Sequence, residues 1–289
     1  MTRFFCLLLA ALLGCGRSPS SPASIVVTDD VGYRTALTRP AVRIVSLIPA
    51  ATELMFALGV GDRLVGRTRW CDYPAEASQV VSVGDGISPN VEAIAARRPD
   101  LVIAYRSATN TQAIGQLRDL GIAVVELAFD RSADLERSTT LLAEAVGRPD
   151  LGQALNRRVR SEVLAASRTP AIRRTVFVLT WRDPPITLGA GSFLTETIRL
   201  AGATNIFEDS PQPSFVVSIE AVARRNPDLV LIVGEDEPAF GSRPEWQTVR
   251  AIRDRRFLRV SGSMFKWPSP RVGEAIRRLA AALDSIPAQ

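Results

Sequence analysis

The chain has 289 residues, 46% of them hydrophobic and 22% charged, which suits one or two globular domains with ample core. It contains no histidine, and that excludes the Ser-His-Asp triad, the Cys-His pair, His-built zinc and manganese sites and His-ligated haem. The net charge of +5 does not imply nucleic acid as a partner, because the arginines are scattered among acidic neighbours and the few aromatics are not interleaved with them.

The N-terminal MTRFFCLLLAALLGCG places one basic residue before an apolar run that ends in small residues. This is the layout of an export signal and is too short to span a membrane. Leu12-Leu13-Gly14-Cys15 matches the pattern that precedes a diacylated cysteine. Residues 1–14 therefore read as a lipoprotein signal peptide, Cys15 as the lipidated residue, and residues 15–24 as a polar tether; an ordinary signal with an incidental cysteine is the alternative. Two acyl chains on one cysteine anchor a protein stably. Cys71 is then the one free thiol, so no disulfide or iron–sulfur cluster is expected, and a buried apolar role suits it better than metal ligation.

IVVTDDVGYRTALT reads as a hairpin around Asp-Asp-Val-Gly. RIVSL (43–47) is a short strand, and a helix capped by Thr52 is expected to present Leu54, Met55 and Leu58 before closing at Gly59. RLVGRT, DLVIAY and IAVVEL read as strands, alternating with helices in VEAIAARR and TQAIGQLRDLG. Such alternation with short links predicts an open parallel sheet covered by helices. Strand signals stop over residues 134–168, where LERSTTLLAEAVG and LGQALNRRVRSEVLAASR are amphipathic helices. They resume at RTVFVLTW, followed by helix FLTETIRLAG, helix IEAVARRN, strand DLVLIV, helix WQTVRAIRD, strand FLRVSG and helix PRVGEAIRRLAAALDSI. The fold class is therefore α/β, with an N-terminal lobe over 25–148, a long rigid linking helix over 149–170 and a C-terminal lobe over 171–289, both lobes built on mostly parallel sheets.

One unit occurs twice: VEAIAARRPDLVIAY at 91–105 and IEAVARRNPDLVLIV at 219–233. Packing accounts for most of the likeness, since a proline stops each helix and an apolar run starts each buried strand. Glu92 and Glu220 are not so explained. Behind the caps Asn90 and Ser218 each carboxylate suits a helix N-terminus, and one acid per lobe also makes a symmetric pair of docking charges for a two-fold partner carrying arginines.

Together RIVSLIPAATELMFALGVGDRLVGRTRWCDYPAEA, NVEAIAARRPDLVIAY, IEAVARRNPDLVLIV and MFKWPSPRV resemble the cobalamin-binding receptors of bacterial ABC importers, within the helical-backbone class (class III periplasmic binding proteins) that also serves siderophores and haem. The resemblance covers nearly all of residues 41–285. It implies two lobes holding a ligand in the cleft between them, and a glutamate on each lobe docking onto a homodimeric ABC permease with its ATPase subunits, here Glu92 and Glu220. It implies a corrinoid as transported ligand rather than as cofactor; with Cys15 acylated, the expected protein is a monomer lipid-anchored on the periplasmic side of a membrane, or periplasmic if Cys15 is not acylated. The implied ligand contacts are Trp70, Asp72 and Tyr73, then Ser263, Met264, Phe265, Lys266 and Trp267. The acid and arginine that cobalamin receptors often carry in that last loop are replaced here by Ser263 and Trp267. Tryptophans expected near Gly86 and Ser214 are absent, although Phe215 is adjacent.

A corrin is a broad, nearly neutral ring edged by amides, so aromatic faces such as Trp70, Tyr73, Trp181, Phe265 and Trp267 suit it. Trp181 could equally fill core, and Tyr73 could simply lock its loop. A ferric siderophore or haem is the alternative ligand, with Arg69, Arg106, Arg182 and Lys266 as basic groups and Tyr73 and Tyr105 as candidate iron ligands. No catalytic or resident metal site is expected, since there is no G-x-S-x-G and no G-x-G-x-x-G after a strand. TLGAGSF (187–193) reads as a strand-to-helix turn with Ser192 as cap, not a P-loop.

Overall fold

The computed structural model describes residues 25–171, 173–234, 240 and 243–287. The signal, the tether and Cys15 lie outside the described residues. Strands β1 (Ile25–Thr28) and β2 (Arg34–Leu37) pair antiparallel as the expected hairpin. Its turn is set by Asp29, whose carboxylate accepts from the backbone N–H of Val31 (3.1 Å) and Tyr33 (2.8 Å).

The N-terminal lobe continues through β3 (Ile44–Ser46), α1 (Pro49–Ala57), β4 (Leu64–Arg67), α2 (Val91–Ala95), β5 (Leu101–Tyr105), α3 (Thr111–Asp119) and β6 (Val124–Leu127). All strands of its sheet run parallel in the order β4-β3-β5-β6. Thr52 is not the cap of α1. Pro49, with its fixed φ, starts the helix behind an extended Ile48 (φ −128°), and Thr52 is buried one turn inside it.

Helices α4 (Ser132–Ala145) and α5 (Pro149–Ala166) then join the lobes. The 18 residues of α5 span about 27 Å at 1.5 Å per residue. It packs on α4 on one side and on the C-terminal helix on the other. Gly152 makes the first crossing possible, because a Cβ there would collide with Ala143. A single buried cluster including Leu142, Leu155, Ala166, Ile276 and Leu279 runs through these helices from one lobe to the other. The link is thus a packed core element rather than a loose hinge.

The C-terminal lobe contains β7 (Arg174–Leu179), β8 (Trp181–Arg182), β9 (Pro185–Leu188), α6 (Phe193–Leu200), β10 (Ala203–Asn205), β11 (Ser214–Val216), α7 (Ile219–Arg225), β12 (Leu229–Val233), α8 (Arg250–Arg253), β13 (Phe257–Val260) and α9 (Val272–Asp284). Its main sheet is parallel in the order β10-β7-β12-β13. Omitting the small sheet β11-β9-β8, this is the same second-first-third-fourth order as in the N-terminal lobe. The pseudo-symmetry read from the repeat is therefore one of topology. That small antiparallel sheet was not anticipated, because its strands are too short to show a period. WQTVRAIRD was expected as one helix. Its first half is instead a 3-10 turn over Pro244–Thr248, and an extended Val249 (ψ 112°) separates it from α8.

The repeated residues do the same work twice. Asp100 accepts from the backbone N–H of Val42 and Arg43 at the start of β3, and Asp228 accepts from the N–H and hydroxyl of Thr175 at the start of β7. Each carboxylate ties the entry of one strand to that of its neighbour. The residue before each proline is left-handed, Arg98 at φ 48° and Asn226 at φ 44°, which turns the chain sharply out of the helix.

Candidate functional site

In open parallel sheets, loops leaving the C-terminal ends of strands form the ligand crevice. Here both sheets direct those ends towards one cleft. A cavity of about 600 Å³ is lined from the N-terminal lobe by the segment after β3 (Leu47–Pro49), the loop after β4 (Arg69, Trp70, Asp72), the rim Asp85–Ile87 and Tyr105 at the end of β5. The C-terminal lobe contributes Gly234 after β12 and Ser261–Ser263, Lys266 and Trp267 after β13. A second cavity of about 400 Å³ shares Lys266 and Trp267 and extends to Phe129, Ser192, Ser214 and Phe265.

The two tryptophans stand on opposite lobes of the same space. Trp70 is 54% exposed, with the Arg69 guanidinium 5.0 Å from its ring centre. Trp267 is partly buried and meets Tyr105 edge-on, centroids 6.2 Å apart. Tyr105 donates to the Asp130 carboxylate at 2.6 Å. Burial and that hydrogen bond both raise the phenol's pKa, so it stays protonated. The charged groups on the main cavity are Arg69 and Lys266 against Asp72 and Asp85, with Ser107, Thr109, Asn110 and Ser261 between them. Its formal charges cancel.

The rim is fixed by Asp85. Its carboxylate accepts from the N–H of Ile87 (2.9 Å) and Ser88 (3.1 Å) and pairs with Arg69 at 3.3 Å. The backbone bonds, above all that of Ser88, hold it below the usual carboxylate range. Gly86 sits at φ +81°, and a Cβ there would lie 2.6 Å from the Leu47 carbonyl oxygen, so this position has no room for a side chain. Ile87 beside it is 65% exposed on the lip.

Of the expected contacts, Trp70, Asp72, Ser263, Lys266 and Trp267 line the main cavity and Phe265 the second. Tyr73, Trp181, Phe215 and Met264 line neither. Tyr73 lies against the Arg271 guanidinium, 3.6 Å from its ring centre. Phe215 packs edge-on against Phe207. Met264 is 5% exposed within the core, because the 3-10 turn Ser263–Phe265 rotates it inward. Trp181 is 61% exposed on β8, and its partner Ile186 on β9 pairs in turn with Val216 on β11. Trp181, Ile186 and Val216 thus form an apolar row across this small sheet, outside the cavities. Asp85, Ser107 and Asn110 also line the main cavity without any motif in the sequence to mark them; the one signal they carry is position in a loop that follows a parallel strand.

Glu92 and Glu220 are exposed in the first turns of α2 and α7. Asn90 accepts from Ala93 N–H (2.9 Å) and Ser218 from Ala221 N–H (3.2 Å), the expected caps. Both helices run back before entering β5 and β12, so their N-termini lie at the cleft edge of each sheet. Glu220's own backbone N–H and the Ser218 hydroxyl keep its carboxylate below the usual range. Cys71 is buried and within hydrogen-bond distance of Thr52 (3.1 Å) and Thr68 (3.2 Å). No helix among the described residues is long and apolar enough to cross a membrane.

The chain is 29% identical to the Bacillus subtilis (strain 168) protein named uncharacterized ABC transporter substrate-binding lipoprotein YvrC, over 96% of this chain and 95% of that protein. It superposes on the periplasmic vitamin B12 binding protein BtuF of Vibrio cholerae with TM-score 0.69 and 27% identity, covering 85% of this chain and 97% of that one. Against the periplasmic heme-binding protein RhuT from Roseiflexus sp. RS-1 the values are 0.74 and 26%, covering 83% and 97%. The family model described as periplasmic binding protein matches residues 44–261. A match across most of the chain, with two lobes closing on one cleft, means that the chain belongs to the periplasmic binding protein family.

Proposed function

We propose that this chain is the extracytoplasmic receptor of an ABC importer, that its ligand is a corrinoid, and that a diacylated Cys15 tethers it to a membrane. The relatives support the first part: a Bacillus subtilis protein named as an ABC transporter substrate-binding lipoprotein matches along almost its whole length. The ligand reading is carried by one observation. Large aromatic faces from opposite lobes, Trp70 and Trp267, border a cleft whose formal charges cancel. A broad, nearly neutral ring with an amide edge is complementary to that surface, and serine, threonine and asparagine groups supply partners for its rim. The exposed Ile87 at the cavity rim suits a ligand wider than the cavity itself.

Haem is disfavoured by the side chains at hand. The sequence has no histidine and three tyrosines; of these, Tyr33 and Tyr73 line neither cavity, and Tyr105, which does, has its hydroxyl bonded to Asp130. A ferric siderophore carrying several negative charges would meet Asp72 and Asp85 beside the basic groups. The deciding experiment is absorption titration of the purified protein with hydroxocobalamin, dicyanocobinamide, haemin and a ferric hydroxamate. Saturable corrinoid binding without turnover is expected; tighter binding of haemin or the hydroxamate overturns the ligand reading. The anchor fails as a reading if Cys15→Ser leaves the membrane-bound fraction unchanged.

A further inference from the structure

Glu53 lies on α1 of the N-terminal lobe and is 5% exposed. An isolated carboxylate there would be costly to bury. It is bound entirely by the other lobe. Arg271, preceding α9, donates Nε to Oε2 at 2.8 Å and Nη2 to Oε1 at 2.6 Å. The Ser263 hydroxyl donates to Oε1 at 3.2 Å and accepts from Arg271 Nη2 at 2.8 Å. The ring of Tyr73, again from the N-terminal lobe, covers the guanidinium. Burial opposes the charged form of Arg271, and the bonds and charge of Glu53 outweigh it, so its pKa is raised.

The ends of this cluster coincide with the walls of the cleft. Tyr73 and Trp70 belong to the loop after β4. Ser263 starts the turn that carries Trp267, and its carbonyl accepts from the backbone N–H of Lys266 (3.0 Å) and Trp267 (3.2 Å). Thr52, beside Glu53, reaches the same first loop through Cys71 at 3.1 Å. Two adjacent polar residues of α1 thus hold both aromatic loops. A buried ion pair is a weak net source of stability compared with apolar packing, but its bidentate geometry fixes orientation.

We infer that Glu53 and Arg271 are positioning residues for ligand capture, setting the gap between Trp70 and Trp267 across the lobes. This rests on the reading that the cleft is the ligand site. Without the pair, the fold persists through α4, α5 and α9, while the two walls lose their fixed separation.

The test compares wild type with Glu53→Gln and Arg271→Lys; the lysine keeps the charge but cannot bridge Glu53 and Ser263 in the same way. Spin labels at Gln112→Cys and Gln247→Cys, with Cys6→Ser and Cys15→Ser and the buried Cys71 left in place, report the interlobe distance in ligand-free protein. Dicyanocobinamide affinity is measured in parallel, in protein that still unfolds cooperatively. The expected result is a broadened distance distribution and a tenfold or greater loss of affinity in both variants. An unchanged distribution overturns the inference, as does a broadened one with unchanged affinity. If wild type binds no corrinoid, the ligand reading fails, and the distance measurement alone still decides whether the pair sets the gap. Should Glu53→Gln fail to fold, Arg271→Lys carries the comparison.

Discussion

The two lobes share a strand order, a pair of capped acidic helices and a pair of aspartates that tie neighbouring strands, yet their cleft faces differ. The N-terminal lobe offers a compact rim held by Asp85, with Trp70 and Ile87 standing out from it. The C-terminal lobe inserts the sheet β11-β9-β8, which carries the row Trp181, Ile186, Val216, and separately presents Trp267 after β13. What repeats is what must pack or cap. What differs lies in the loops, which are free to vary once the sheet is covered.

The sharpest way to break the comparison is at the acids that repeat. Reversing both Glu92 and Glu220 to Lys is expected to abolish uptake in cells while ligand affinity measured on the purified protein is unchanged. Each single reversal should give a partial loss of similar size if the lobes dock equivalently. Normal uptake in the double variant would leave helix capping as the whole explanation.

At the walls the lobes should behave differently. Trp70→Ala and Trp267→Ala are each expected to weaken ligand binding by about 1–3 kcal/mol, read by titration. Only Trp267→Ala should also lower the melting temperature, because Trp267 packs on Tyr105 while Trp70 is largely exposed. Equal melting temperatures would mean that its packing contributes nothing.

The smallest effect concerns the left-handed residues. Arg98→Gly should stabilise the protein by roughly 0.5–1 kcal/mol in denaturant unfolding, since a residue with a Cβ is strained at that φ. Asn226→Gly should change stability by a few tenths at most, because asparagine tolerates the same conformation. Equal responses would show that the strain at Arg98 is already relieved by its surroundings.

Most of the architecture was legible in the linear chain. Continuous apolar runs such as 101–104 and 229–232 encode strands buried on both faces, and the duplicated Pro-Asp-Leu-Val encodes a duplicated topology. Asn90 and Ser218 acted as the caps their types imply. Thr52 did not, since Pro49 upstream set the helix start first, and the strands of β11-β9-β8 were too short to carry a period.

By itself the sequence determined the α/β alternation, the long helix between the lobes, the repeated acids and the loops that bear Trp70 and Trp267. Those properties follow from local periodicity and from residue types that favour caps and turns. Tertiary structure alone decided that Tyr73 serves Arg271, that Met264 and Phe215 turn away from the cavities, and that Glu53 meets Arg271 and Ser263 more than 200 positions away. A side chain's direction and its distant partner depend on how whole elements pack, and no spacing along the chain encodes that.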